Sequence, residues 1–266
     1  MGQFPLNNPH GLRIPANATL ARRRTLGTIP AMLARAESVV SPLATIILAG
    51  AELVLDPSGA LLWPDERLMV VADLHLEKGS AFARRGQMLP PYDSIDTLKR
   101  LGAAIAVHQP RLVIALGDSL HDRWAVERMA DPVREEIRRI QAGRTFVWIA
   151  GNHDPMPTDL GGEGTAALTH GPLLFRHEPS EGPAPGEVCG HLHPAARIAL
   201  RGRGVRRRCF VTDGSRMVLP AFGAYAGGLS VRDPAIAGLF PPHGFTAHLL
   251  GDGRTFEMPA SACIGD

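Results

Sequence analysis

The sequence predicts an α/β protein in which two β-sheets pack together and helices flank them, on three observations. The first half alternates apolar runs of strand length with amphipathic segments of helical period, the second half is strand-rich with Gly and Asp turns, and five apolar runs stop abruptly at Asp, His or Asn.

Residues 1–44, rich in Pro, Asn and Arg, read as an irregular leader. Arg22 to Arg24, Thr25 to Leu33 and Ala34-Arg35-Ala36 have the outline of an export signal, but the apolar core is short and holds Pro30. Leu43 to Leu55 is interrupted by Glu52 and is too short to span a bilayer of roughly 30 Å, so no membrane is expected. Ile46 to Leu55, the turn Asp56-Pro57-Ser58-Gly59 and Ala60 to Trp63 read as strand, turn, strand. Leu68 to Ala72 is continuously apolar, as a strand covered on both faces should be. Tyr92 to His108 carries Ile95, Leu98, Leu101 and Ile105 at helical spacing, with Asp93 or Ser94 as its cap.

Leu112 to Leu116 is the next strand, and Asp131-Pro132 reads as a cap and a first-turn proline opening a further helix. Phe146 to Ala150, Leu173 to Arg176 and Glu187 to Cys189 continue the rhythm. Cys209 to Thr212, Met217 to Phe222 and Phe245 to Leu250 read as strands with little helix between them.

A formal charge of +2 does not by itself demand a nucleic-acid partner. Three scattered cysteines, Cys189, Cys209 and Cys263, exclude a disulfide framework, fit a reducing cytoplasm and read as packing residues.

In open α/β sheets, residues just beyond the carboxyl ends of the strands converge. Asp73, His75, Asp118, Asn152, His177, His191 and His193 all hold that position. Carboxylate, imidazole and amide oxygen without thiolate suit divalent ions such as manganese, iron or zinc, and seven donors are too many for one ion. Two divalent cations against two carboxylates leave a positive surplus that suits a phosphate ester and a bridging hydroxide. The spacing Asp73-x-His75, repeated in His191-x-His193, would put both side chains on one face of an extended backbone. Gly117, Gly151 and Gly190 adjoin donors where the chain is expected to turn sharply.

Asp73-x-His75, Gly117-Asp118, Gly151-Asn152-His153-Asp154, a later His and Gly190-His191-x-His193, in this order, resemble the calcineurin-like metallophosphoesterases. The resemblance implies a four-layer αββα sandwich of two mixed β-sheets over residues 45–266. It implies a first metal on Asp73, His75, Asp118 and His193, and a second on Asp118, Asn152, His177 and His191, with Asp118 as the bridge. His153 would face the scissile phosphate and protonate the leaving oxygen or stabilise its charge, and Asp154 would orient it. Manganese is the expected metal, with iron or zinc as alternatives.

Ala72 to Gly79, Leu89-Pro90-Pro91, His177-Glu178-Pro179 and Pro220 to Tyr225 are similar to the ligase-associated DNA-damage-response metallophosphoesterases of bacteria. That likeness implies a phosphodiesterase or endonuclease in the cytoplasm, with DNA as substrate and DNA-repair proteins as partners. A phosphodiesterase for a small nucleotide or lipid-linked substrate, and a non-catalytic binding module in a repair complex, are the competing readings.

The lone histidine could be His170 or His177, and the strand end favours His177. Asp122 reads either as a helix cap or as part of the site, beside His121. Lys78, Arg84 and Arg85 are placed to meet a substrate phosphate, or are plain surface charge. Arg201, Arg203 and Arg206 to Arg208 form a basic turn that fits either a nucleic-acid backbone or an exposed hairpin.

Overall fold

Three adjacent parallel strands, β4 (Leu68–Val71), β5 (Leu112–Leu116) and β6 (Thr145–Ile149), send alternate side chains into two different cores. Met69, Val71, Val113, Ala115, Phe146 and Trp148 face helices, while Leu68, Val70, Ile114, Leu116, Val147 and Ile149 face a second sheet. Burial on both faces explains the continuous apolar runs, and each fully buried Val, Leu or Ile contributes about 1.5–3 kcal/mol. The computed structural model describes residues 43–154, 160–200, 202–241 and 244–266.

The first sheet runs β1 (Ala44–Leu48), β2 (Ala51–Leu55), β3 (Leu61–Trp63), β4, β5, β6 and β7 (Glu163–Thr165), antiparallel up to β4 and parallel from there. Between β4 and β5 lie α1 (Lys78–Ala83) and α2 (Asp93–His108); between β5 and β6 lie α3 (Ala125–Arg128) and α4 (Asp131–Gln141). Leu98, Leu101 and Ile105 of α2 and Val133, Ile137 and Ile140 of α4 cover the outer face.

The second sheet contains β8 (Ala167–His170), β9 (Leu173–Arg176), β10 (Glu187–Cys189), β11 (Pro194–Leu200), β12 (Arg203–Thr212), β13 (Met217–Val218) and β14 (Leu229–Ser230), in the order β14-β11-β12-β13-β10-β9-β8. The β15 (Thr246–Gly251) and β16 (Arg254–Pro259) hairpin joins β12, and β17 (Cys263–Ile264) joins β11. Leu173, Phe175, Val188, Phe210 and Met217 meet the first sheet. The fourth layer is thin, since its helical part is α5 (Pro234–Ala237), one turn that brings Ile236 to a core completed by Phe240 and Phe245.

Several boundaries differ from expectation. The expected strand Ile46 to Leu55 is a hairpin, because Ala49 and Gly50 adopt φ of 49° and 86°, the left-handed pair of a tight two-residue turn. The expected start at residue 45 falls inside β1, and residues 1–42 lie outside the described part, export-like stretch included. Met217 to Phe222 pairs as a strand for two residues only. The helix α2 starts as expected, but Asp93 and Ser94 make no cap: Asp93 accepts from the Gly79 amide, and Ser94 bonds Glu77. Ala130 rather than Asp131 precedes α4, with Pro132 in its first turn. Among the described residues no helix is long and apolar enough to cross a membrane.

Candidate metal centre

The loops after β4 and β5 are zipped together before any side chain is considered. The Asp73 amide donates to Gly117 O (3.3 Å), His75 to Asp118 O (2.9 Å), Leu76 to Ser119 O (2.9 Å), and His121 back to Leu76 O (2.9 Å). The expected extended backbone at Asp73-x-His75 is not what brings the pair together. Asp73 and His75 have φ of 53° and 45°, and His191 and His193 have 67° and 47°, so left-handed residues flank Leu74 and Leu192. Asp118, at φ 44°, shares the conformation, which Asp and His tolerate better than most residues but which still costs about 1–3 kcal/mol at each site. The zipped loops hold these conformations in place.

The flanking glycines act mainly by absence of bulk. Of Gly117, Gly151 and Gly190, only Gly117 combines a left-handed φ of 70° with crowding, since a Cβ there would lie 2.5 Å from His177 Cγ. A Cβ on Gly151 would drive into the Asp118 backbone nitrogen and carboxylate, and one on Gly190 would lie 2.7 Å from Asp73 Oδ2.

Two groups of donor atoms result. Asp73, His75 and His193 form one and Asp118, His177 and His191 the other, with the donor atoms of each within 4.8 Å of one another. His75 Nε2 and His193 Nε2 lie 3.1 Å apart, and His193 Nε2 is 3.3 Å from Asp73 Oδ1. In the second group His177 Nε2 is 3.1 Å from His191 Nδ1, 3.0 Å from Asn152 Oδ1 and 3.4 Å from Asp118 Oδ1. The groups adjoin, because His177 Nδ1 is also 3.8 Å from Asp73 Oδ1.

This donor set fits divalent cations. His177 Nδ1 donates to the Leu116 carbonyl at 2.8 Å, so Nε2 of the neutral ring carries a lone pair into a cluster of oxygen and nitrogen acceptors. Such a cluster needs a cation, either a proton or a metal. In the metal-free chain the proton serves: burial opposes charge on His177, but the hydrogen bond with Asp118 and the charges of Asp73 and Asp118 raise its pKa to about 9. Burial works against the charge of Asp118 too, and His177 and the His153 amide overcome it, lowering its pKa to about 2. In the first group, burial and the facing His193 push His75 down to about 3, which keeps its ring neutral and able to ligate.

His153 borders both groups. Its amide donates to Asp118 Oδ1 at 2.9 Å, its Nε2 is 3.8 Å from Asp118 Oδ2, and its ring is 42% exposed. Asp154 does not orient that ring by a direct hydrogen bond. The His121 carbonyl accepts from His153 Nδ1 at 2.9 Å, whereas the buried Asp154 accepts from the Leu120 amide at 2.9 Å and so braces the loop beyond Asp118. Burial pushes the Asp154 carboxyl up to about 7.

His170 belongs to neither group: its Nε2 faces Glu66 Oε2 at 3.0 Å and its ring meets Trp63 edge-on. Lys78 is near enough to His75 and His121 to disfavour their charged forms, and its ammonium donates to Tyr225 O at 3.0 Å, with its own pKa lowered by burial. Arg84 and Arg85 are exposed at the end of α1. Asp122 accepts from the Trp124 amide and grips Arg128 with both oxygens. The basic turn is the β11–β12 hairpin, where Arg206 pairs with Asp266 and the half-buried Arg208 donates to Ala221 O and Gly223 O. Arg201 lies outside the described residues. The three cysteines are free and buried.

Sequence reasoning gave His121 no role, yet its ring stacks on His153 at 5.6 Å and approaches His75 at 5.9 Å. Burial lowers its pKa to about 4. The available signal was its place in the short segment after the strand-end Asp118. Arg128, which also donates to Ser80 Oγ at 3.1 Å and so ties α3 to α1, carried no such signal.

A family model described as calcineurin-like phosphoesterase matches residues 66–209, more than half of the 266-residue chain. No curated protein matches significantly. Among solved structures, the nuclease MPE of Pseudomonas putida is 29% identical with a TM-score of 0.61, over 81% of this chain and 100% of that one. Yfce, a phosphoesterase from E. coli, is 15% identical with a TM-score of 0.37, over 73% of this chain and 98% of its own. The chain belongs to the calcineurin-like phosphoesterase family.

Proposed function

We propose that the chain is a dinuclear-metal phosphodiesterase that cleaves nucleic-acid phosphodiester bonds. The observation that carries this reading is the pair of adjoining donor groups beside the exposed ring of His153. Asp73, His75, Asp118 and His193 would hold one ion, and Asp118, Asn152, His177 and His191 the other, with Asp118 shared and manganese the first choice. Two divalent ions there would neutralise a phosphate diester and make water between them acidic enough to act as nucleophile.

The chain's own residues supply the rest. His153 Nδ1 is committed to the His121 carbonyl, so a proton for the leaving oxygen must sit on Nε2, the nitrogen turned toward Asp118. Asp154 keeps the segment after Asp118 in register through Leu120. Lys78, whose charge reaches His75 and whose ammonium donates to Tyr225 O, would turn to a phosphate oxygen of the substrate.

The 29% identity to a nuclease along that protein's whole length favours nucleic acid over a small nucleotide. A part in DNA repair, with repair proteins as partners, rests on the likeness of Ala72 to Gly79 and Pro220 to Tyr225 to the ligase-associated group. The test is metal-depleted protein reconstituted with each divalent ion and assayed on a bis-aryl phosphodiester, a phosphomonoester, and single-stranded and duplex DNA. Manganese-dependent hydrolysis of the diester and of DNA is expected. Turnover of small nucleotides alone, or hydrolysis of nothing under any ion, would refute the proposal.

A further inference from the structure

Beside the proposed centre lies a cavity of about 270 Å³ lined by Ala81, Arg84, Arg85, Asp122, Trp124 and Arg128. From this cavity, and resting on the phosphodiesterase reading, we infer a subsite for an unpaired nucleotide next to the scissile phosphate, with Trp124 as base platform and Arg84 and Arg85 as the groups that meet its phosphates.

The cavity adjoins the catalytic region through His121. That residue directly precedes Asp122, its ring stacks on His153, and Phe82 of α1 packs on it at 5.8 Å. The one acidic group in the wall is already neutralised, because Asp122 is gripped by Arg128 at 3.0 and 2.9 Å. Arg84 and Arg85 are exposed and, among the described residues, have no ion-pair partner, so the wall presents positive charge to solvent.

Trp124 supplies the second half. Trp63 and Trp148 are buried, whereas Trp124 is 44% exposed in a loop rim where plain packing would not place it. Arg123 lies 4.1 Å over one face of its ring, and Trp124 itself lines the cavity. An aromatic face among uncompensated guanidinium groups is the chemistry that binds single-stranded nucleic acid, because every unpaired base has a π-face and every linkage a charge. A base within a duplex is stacked on its neighbours and cannot use the platform.

The test compares initial rates of the full-length, metal-loaded protein on a single-stranded oligonucleotide and on bis(4-nitrophenyl) phosphate, which has no neighbouring nucleotide. Trp124→Ala is expected to lower the ratio of the two kcat/KM values at least about tenfold, and Trp124→Phe to restore most of it. Arg84→Gln with Arg85→Gln should reduce the slope of log KM against log salt for the oligonucleotide by about 1.4, roughly 0.7 for each phosphate that the variant no longer neutralises. An unchanged ratio in Trp124→Ala, or equal losses on both substrates, would overturn the subsite. If the parent protein hydrolyses the aryl diester but not the oligonucleotide, the subsite fails while the metal centre stands. If it hydrolyses neither, the reading beneath fails and the subsite with it.

Discussion

The ring of His153 donates from Nδ1 to the main-chain carbonyl of His121 at 2.9 Å, while the ring of His121 stacks against it at 5.6 Å. A carbonyl can only accept, so the bond fixes which nitrogen of His153 remains for chemistry. Nε2 faces Asp118, and it holds a transferable proton only in the imidazolium form.

It follows that His153→Ala should lower kcat by about 10²–10⁴ on substrates with alkyl leaving groups. The loss on a nitrophenyl diester should be much smaller, since that leaving group departs without a proton. Equal losses on both would mean that His153 serves binding or structure and not proton transfer.

His177→Ala should remove one of two bound ions, because its Nε2 lies at the centre of the second group. His170→Ala should retain both ions, since its ring faces Glu66. Metal content by elemental analysis decides, and loss of an ion from the His170 variant alone would reverse the assignment.

Metal uptake at the second group should depend on pH with a definite sign. The raised pKa of His177, about 9, means that its charged form stabilises the metal-free fold fully below the unfolded value of about 6.5, and that this contribution is lost as pH rises through about 9. An incoming ion must expel that proton, so apparent affinity should rise by about tenfold per pH unit below that value, with about one proton released. Calorimetry in two buffers of different ionisation enthalpy measures the release. Affinity independent of pH would contradict it.

Gly151→Ala should cost about 1–3 kcal/mol of stability and weaken the second group, because its Cβ would collide with the Asp118 backbone and carboxylate. Thermal unfolding with and without manganese separates the two effects. A variant with parental Tm and metal content would show that the crowding is relieved at no cost.

The candidate donors were legible as a group because each follows an apolar run that must be a strand, and strand ends converge whatever the loops do. Their geometry was not legible. The left-handed φ of Asp73 and His75 goes with main-chain pairing of Asp73 to Gly117 and of His75 to Asp118, residues more than forty positions away, and no local pattern encodes it. Asp93 and Ser94 misled for a related reason: as cap residues by type, they are engaged instead by Gly79 in the first turn of α1 and by Glu77, which precedes it. In β11 and β12 the facing residues Arg197 and Arg206 hide the strand pattern under charge, so only the inner end of β12 was visible. The hairpin at Ala49-Gly50 was missed because Ala is a poor signal for the left-handed conformation that it adopts there.

On the proposed function, Asp118 is shared by two ions. Anomalous diffraction from crystals grown with manganese tests it directly, alongside metal counting on Asp118→Asn. Two peaks are expected, one against Asp73, His75 and His193 and one against Asn152, His177 and His191, with the Asp118 carboxylate between them. Lower metal content is also expected in the variant, with activity reduced by about a hundredfold or more, since loss of a mere outer partner of a ligand already costs about 10–100-fold. A single peak, or an active Asp118→Asn protein with full metal content, would contradict it.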